Sequence, residues 1–145
     1  MNPPNSGSAL DIVHENALLV AVNKPSGVLS VPGRGALAHG SMAEQVQQRF
    51  PDAKVVHRLD MATSGILLFA KGLDDQRSLS RQFELRKIRK EYLAVVSGLI
   101  RDDTGEINAP LVADWPQRPR QKVDHATGKE AITRYTVIER HAEQS

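Results

Sequence analysis

The chain has 145 residues, of which 40% are apolar and 25% are charged. These values are ordinary for a globular protein, and the length suits one domain rather than two. The absence of cysteine excludes disulfides, cysteine zinc sites and a thiol nucleophile. The two clearest apolar runs, residues 17–22 and 66–70, are far shorter than the ~20 residues that a membrane span requires. We therefore expect a soluble cytoplasmic protein.

The net charge of +2 conceals two basic clusters. Residues 77–90 contain six lysines and arginines but one acidic residue, and a second cluster lies between residues 118 and 122. Basic clusters of this kind bind polyanions through the release of counterions. On charge alone, however, a solvated helix face and a charged loop are a better explanation of these clusters than polyanion binding.

The first elements in chain order are a leader, a strand and a helix. The polar start predicts a disordered leader over residues 1–15, and the apolar run at 17–22 predicts a buried strand. Ser41 and Glu44 have the spacing of a capping box, which predicts a helix from residue 42 to about residue 50.

The rest of the chain is richer in strands than in helices. Apolar and β-branched runs predict further strands, at residues 55–56, 66–70, 91–98 and 131–138. The run at 91–98 has apolar side chains on both faces, which indicates an inner strand. Asp74 or Asp75 is expected to cap a second helix, and residues 113–128 are expected to form a loop. Without a regular βαβ alternation, this pattern predicts an α+β fold with a mixed, largely antiparallel sheet and flanking helices.

A polar interval, HRLDMATSG at residues 57–65, separates two predicted strands and places Asp60 close to Arg58. A carboxylate at the mouth of a buried strand pair needs a cationic or hydrogen-bonding partner. Arg58 or a more distant cation can supply it. On spacing alone, a structural Asp–Arg pair or an Asx-turn is the better explanation.

The same interval, followed by an apolar strand and Ala70-Lys71, resembles the signature of the RluA family of pseudouridine synthases. Other motifs follow in family order, namely VNKPSG at 22–27, RKEYLAVV at 89–96, PL at 110–111, GK at 128–129 and TRY at 133–135. The resemblance covers about residues 16–138. The loop DWPQRPRQKV at 114–123 resembles members that modify a large-subunit rRNA hairpin loop and tRNA anticodon-arm loops.

The resemblance implies that uridine in RNA is isomerised to pseudouridine, with no metal and no cofactor. Asp60 aligns with the essential aspartate of the family. A carboxylate suits this task because aspartate side chains, with a reference pKa of about 3.9, are ionised at neutral pH without activation. Attack on C1′ and removal of the C2′ proton are both open as its role.

Two further residues acquire roles from the resemblance. Tyr92 aligns with the active-site tyrosine, whose ring stacks on the extruded uracil and whose hydroxyl helps to remove the C5 proton; the alternative is ordinary core packing. Arg58 aligns with an arginine that engages RNA around the space left by the flipped base. Its alternative role is an ion pair that orients Asp60.

The remaining signature residues are expected to support the site. We interpret His57 as a hydrogen-bonding structural residue and not as a general base. Thr63 and Ser64 are expected to hold the loop through side-chain bonds to the backbone. Gly65 is expected to let the chain turn into its strand.

A second set of residues is expected to contact RNA. Three cations in a proline-containing, extended loop can point to one side: Arg118, Arg120 and Lys122. Trp115 either stacks on RNA or is buried as the anchor of this loop. Lys24 either contacts a phosphate or is an ordinary turn lysine.

Members of the family carry a later G-R-x-H-Q-L-R-like segment, whose arginine pairs with the catalytic aspartate. The sequence contains no such segment, so residues 16–145 are expected to be the N-terminal portion of a pseudouridine synthase domain, with an incomplete sheet. The alternative function is a non-catalytic RNA-binding or RNA-folding module. Either way we expect RNA as the partner of a monomeric protein, with no binding to DNA or membranes.

Overall fold

The computed structural model describes residues 10–35, 39–117 and 120–141. The chain divides into two compact units, the first ending at Glu91 and the second beginning at Tyr92, whereas the length predicted one domain. Among the described residues, every buried side chain lies in the first unit, between Val20 and Ala70. The apolar core that positions the predicted signature loop is therefore a property of the first unit.

The first unit contains a four-stranded sheet in the order β1-β2-β4-β3. Its strands are β1 Ile12–Glu15, β2 Leu19–Lys24, β3 Ala53–Val55 and β4 Gly65–Lys71. All pairs in this sheet are antiparallel, which confirms the predicted sheet type. The predicted end of the leader at residue 15 is wrong, because Ile12 pairs with Val22 and packs against the core. Residues 1–9 of that leader lie outside the described residues.

One face of the sheet packs against helix α1, Met42–Arg49. Alternate residues of β2 and β4 face each other across the strands, as Val20 does with Phe69 and Val22 with Leu67, and all four are fully buried. The capping box predicted for α1 is present: Ser41 accepts from the Glu44 amide, and the Glu44 carboxylate accepts from the Ser41 amide.

The second helix, α2, spans Leu73–Glu84 and has no buried residue. The prediction that Asp74 or Asp75 caps it is wrong, because both lie inside its first turn and Gly72 occupies the cap position. Gly72 has a φ of +100°, a conformation that glycine adopts without strain. The chain reverses there directly after β4, so the helix begins before either aspartate.

The second unit contains two separate two-stranded antiparallel sheets in its described residues. Their strands are β5 Thr104–Asn108 with β8 Ile132–Thr136, and β6 Leu111–Ala113 with β7 Gln121–Val123. The strand predicted at 131–138 is confirmed in its central part. The predicted loop at 113–128 instead contains β7 and a 3-10 turn, Trp115–Gln117.

The prediction of an inner strand at residues 91–98 is wrong. No strand is assigned there, and the side chains of Leu93 and Val95 are 84% and 99% exposed. An apolar, β-branched run favours extended backbone, but a strand also requires a neighbouring edge that pairs with its amides and carbonyls. Residues 91–98 pair with no described strand. Within the described ranges, no helix is long and apolar enough to cross a membrane.

Candidate active site

The loop between β3 and β4 places Arg58 and Asp60 on the surface and the residue between them in the core. Arg58 and Asp60 are exposed, whereas the side chain of Leu59 is only 9% exposed. Leu59 packs in the apolar core cluster and so fixes the loop from inside. The carboxylate of Asp60 is therefore accessible to a large substrate, which a catalytic role requires.

Ser30 holds the backbone of this loop immediately before Asp60. Its Oγ donates to the Leu59 carbonyl over 2.6 Å and accepts from the Leu59 amide over 3.0 Å. Ser30 is 3% exposed, so both bonds are shielded from water. The backbone of Leu59 is thus satisfied at its amide and at its carbonyl by one side chain.

The residues just after Asp60 are held by the turn that follows β2. The Gly27 amide donates to the Met61 carbonyl over 2.8 Å, and the Ser26 hydroxyl donates to the Ala62 carbonyl over 2.8 Å. Gly27 has a φ of +85°, so this turn needs the conformational freedom of glycine. The turn and the Asp60 loop are therefore bonded to each other along their length.

Lys24 is fully buried beneath the Asp60 loop. Its Nζ donates to the carbonyls of Pro25, Val28 and Met61 over 2.9, 2.7 and 3.1 Å, which uses all three ammonium protons. Burial lowers the pKa of Lys24, while the negative charge of Asp60 opposes that shift. The prediction that Lys24 contacts phosphate is wrong, because it has neither exposed surface nor a spare proton.

His57 stands at the entrance of the loop. Its Nε2 accepts the Leu68 amide of β4 over 3.0 Å, and its ring stacks on Phe83 of α2 with centroids 4.5 Å apart. Burial, and the nearby charge of Lys90, lower the pKa of the His57 imidazole. These contacts agree with its interpretation as a hydrogen-bonding structural residue.

At the exit of the loop, backbone atoms replace the side-chain bonds that the sequence predicted. The Thr63 amide donates to the Asp60 carbonyl over 3.0 Å and closes a turn. The hydroxyls of Thr63 and Ser64 make no hydrogen bond within the described residues, so that part of the prediction is wrong. The loop carbonyls of Met61 and Ala62 are instead bound by Lys24 and by Ser26 of the turn after β2. Gly65 has a φ of +123° as β4 begins, which agrees with its predicted turn role.

The Asp60 carboxylate accepts no hydrogen bond and forms no ion pair with any described residue. In particular, Arg58 does not pair with it, so the ion pair that was the alternative role of Arg58 is not formed. The negative charge of Asp60 raises the pKa of the buried Lys24 ammonium and so opposes the effect of its burial. The described residues contain no group of three or more acidic or histidine side chains that would hold a metal ion.

The other candidates lie in the second unit. Tyr92 is 63% exposed, so it is not packed in a core. Trp115 is 69% exposed in the 3-10 turn between β6 and β7, which overturns the buried-anchor alternative. Arg120 donates to the Gln117 side chain over 3.1 Å, and Lys122 lies on β7; both are exposed. The predicted RNA contact Arg118 lies outside the described residues.

The family of the chain follows from comparison with known proteins. The sequence model of the family described as RNA pseudouridylate synthase matches residues 18–145. The chain belongs to this family. The predicted signature loop, the β2 turn that holds it and the β6–β7 hairpin all lie inside the matched region.

Individual members of the RNA pseudouridylate synthase family match most of the chain. The dual-specificity RNA pseudouridine synthase RluA of Vibrio cholerae is 47% identical over 139 residues, which are 96% of this chain and 56% of that protein. The RluA protein of Haemophilus influenzae is 45% identical, with coverage of 96% and 63%. The chain therefore spans between about half and two thirds of the length of these curated relatives.

Solved structures of the family share the fold. The human RNA pseudouridylate synthase domain containing 1 protein has a TM-score of 0.64 and 28% identity, over 92% of this chain and 52% of that one. The human domain containing 4 protein has a TM-score of 0.67 over 88% and 53%, and at 20% identity it supports the fold alone. Both agree with the α+β architecture predicted from the sequence.

Sequence reasoning missed the serines and the glycine that hold the Asp60 loop of this family member. Ser26 and Gly27 belong to the VNKPSG motif, but nothing in that motif indicates which carbonyls they bind. Ser30 lies in the short run VLSV, where a hydroxyl among apolar neighbours requires a buried partner. That requirement is the one sequence signal by which Ser30 can be found.

Proposed function

We propose that this chain carries the catalytic aspartate and RNA contacts of a pseudouridine synthase, an enzyme that isomerises uridine within RNA. The observation that supports this most directly is the state of the Asp60 carboxylate. It is exposed and unpaired within the described residues, on a loop whose backbone is bonded at Leu59 and Met61 on either side. A held backbone with an accessible anionic oxygen suits a reaction at a ribose.

The proposed reaction keeps every atom of the nucleotide except one exchanged proton. The N1–C1′ bond breaks, the uracil turns, and C5 bonds to C1′; C5 then loses its proton and N1 gains one. Asp60 starts the reaction either by attacking C1′ or by removing the C2′ proton. Tyr92 is proposed to stack on the extruded uracil and to help remove the C5 proton. Arg58 is proposed to contact the RNA around the space that the extruded base leaves. No cofactor is part of this proposal.

The proposed substrate is the loop of an RNA stem-loop, in large-subunit rRNA, in a tRNA anticodon arm, or in both. The resemblance of residues 114–123, and the dual specificity for which the RluA relatives are named, support this choice. An exposed tryptophan beside exposed cations suits single-stranded RNA, in which phosphates position the chain and bases stack on rings. We propose that the protein acts as a monomer in the cytoplasm, without binding DNA.

The proposed function is tested by release of tritium from stem-loop RNA labelled at C5 of uridine. We expect release to accompany the formation of pseudouridine, detected in the same RNA after nuclease digestion. The same labelled RNA incubated without protein is the control and should release no tritium. If the protein bound stem-loop RNA but released tritium from none of the stem-loops, the catalytic proposal would be overturned. That result would favour the RNA-binding or RNA-folding module.

Removal of two cations from the β6–β7 hairpin is expected to weaken RNA binding. Arg120→Ala with Lys122→Ala should reduce affinity by about tenfold at low salt, because two exposed cations no longer displace counterions. The slope of log K against log salt should fall in magnitude by about 1.4, at ~0.7 for each phosphate of a single strand. Filter binding across a salt series measures both quantities.

The matched control removes the same charge from the first unit, as Arg49→Ala with Lys54→Ala. This pair should leave the salt slope within error of the unmodified protein. An unchanged slope in the hairpin variant, or an equal change in both variants, would contradict the hairpin as an RNA contact.

A further inference from the structure

His57 ends the pairing between β3 and β4. That pairing runs from Ala53 opposite Lys71 to Val55 opposite Phe69. Continued in the same register, the next partner of Leu68 would be the backbone of Val56. The imidazole Nε2 of His57 takes that place instead and accepts the Leu68 amide over 3.0 Å. A side chain thus satisfies the first β4 amide beyond the β3–β4 ladder, and the backbone after Val55 is free to form the Asp60 loop.

Helix α2 fixes both the imidazole and the strand end beside it. The ring of Phe83 lies 4.5 Å from that of His57 at an interplanar angle of 24°. The side chain of Gln76, two turns earlier, donates to the Val55 carbonyl over 3.0 Å. The helix therefore holds the end of β3 and the start of the loop together. With Nε2 as acceptor, the neutral ring carries its proton on Nδ1.

We infer that His57 is a positioning residue for Asp60, an inference that rests on the proposed function. Its imidazole fixes the loop on β4 at residue 57, and the buried side chain of Ser30 fixes it at Leu59. Two fixed points with one residue between them leave the backbone little freedom before Asp60. The bond on Leu68 thereby sets where the Asp60 carboxylate is presented to RNA.

Only the neutral imidazole can perform this role. A protonated ring carries a proton on Nε2, which would face the Leu68 amide donor with no acceptor between them. Burial lowers the pKa of His57, and the charge of Lys90 lowers it further. The unfolded chain gains this proton near pH 6.5 and the folded chain only at lower pH. In the folded chain the bond therefore stays intact at pH 6.5 and is lost only as the pH falls through the lowered pKa of His57, whereas its contribution to stability is complete above pH 6.5 and declines below it.

The experiment compares His57→Gln with His57→Ala in single-turnover pseudouridine formation between pH 5 and pH 8. The glutamine Oε1 lies near the position of Nε2 and accepts without titrating in this range, whereas alanine removes the acceptor. We expect His57→Gln to stay within about threefold of the unmodified rate at pH 8 and to lose the acid limb attributable to His57. We expect His57→Ala to be about tenfold slower at pH 8, to approach the unmodified protein as the pH falls through the pKa of His57, and to keep RNA affinity within about threefold.

Amide chemical shifts separate failure of this inference from failure of the proposed function. In uniformly labelled protein, His57→Ala should shift the Asp60 amide and increase exchange of the Leu68 amide, while His57→Gln should leave Asp60 near its original position. This result would hold even if no RNA were modified, in which case the proposed function alone fails. The positioning role would be overturned if the Asp60 amide did not shift in His57→Ala. It would also be overturned if that variant formed pseudouridine as fast as the protein without the substitution.

Discussion

Asp60→Asn is expected to lower the rate of pseudouridine formation by at least about 10³-fold and to change RNA affinity by less than about threefold. Asparagine has the shape of aspartate but no anionic oxygen, so it can neither attack C1′ nor remove the C2′ proton. The loop should keep its conformation, because its bonds on Leu59 and Met61 do not involve the Asp60 side chain. The substitution therefore separates chemistry from binding.

Single-turnover tritium release measures the rate, and filter binding at the same salt concentration measures the affinity. Asp52→Asn is the matched control, since it removes an exposed carboxylate from the same unit without altering the loop. That control should keep at least half of the unmodified rate. Turnover by Asp60→Asn at the unmodified rate would reject the aspartate as the catalytic group and with it the proposed mechanism.

The elements that the sequence predicted correctly are those specified by local or strongly patterned signals. The capping box needs only Ser41 and Glu44, which are three residues apart, and it is formed as predicted. The runs that became β2 and β4 are apolar enough to be buried in any compact arrangement. Asp60 and Arg58 were located by a motif, and their exposure follows from a loop between two buried strands.

The incorrect predictions concern contacts that join distant parts of the chain. A lysine in a turn usually faces solvent, but one carbonyl bound by Lys24 lies 37 residues away in sequence. The partners Ser30 and Leu59 are 29 residues apart. The run at 91–98 has strand propensity, yet pairing depends on an edge supplied from elsewhere in the fold. Periodicity and spacing carry no information about such partners.

The burial of Lys24 turns a predicted surface contact into a determinant of stability. Methionine has a similar length and fills the same space, so Lys24→Met removes the ammonium without opening a large cavity. The carbonyls of Pro25 and Val28 then lose the one hydrogen bond described for each, while Met61 keeps the bond from Gly27. A carbonyl that loses its partner away from water costs about 1–3 kcal/mol. The cost is smaller at the exposed Pro25 than at the half-buried Val28, and relief of ammonium burial offsets part of the sum.

We therefore expect Lys24→Met to lower the free energy of unfolding by about 2 kcal/mol, which corresponds to a fall of roughly 6 °C in Tm for a chain of this size. Differential scanning calorimetry measures the change, with the exposed Lys87→Met as the matched control. RNA affinity should be nearly unchanged, because a fully buried ammonium cannot contact phosphate. A large loss of RNA affinity with an unchanged Tm would instead return Lys24 to the RNA surface and contradict its role beneath the Asp60 loop.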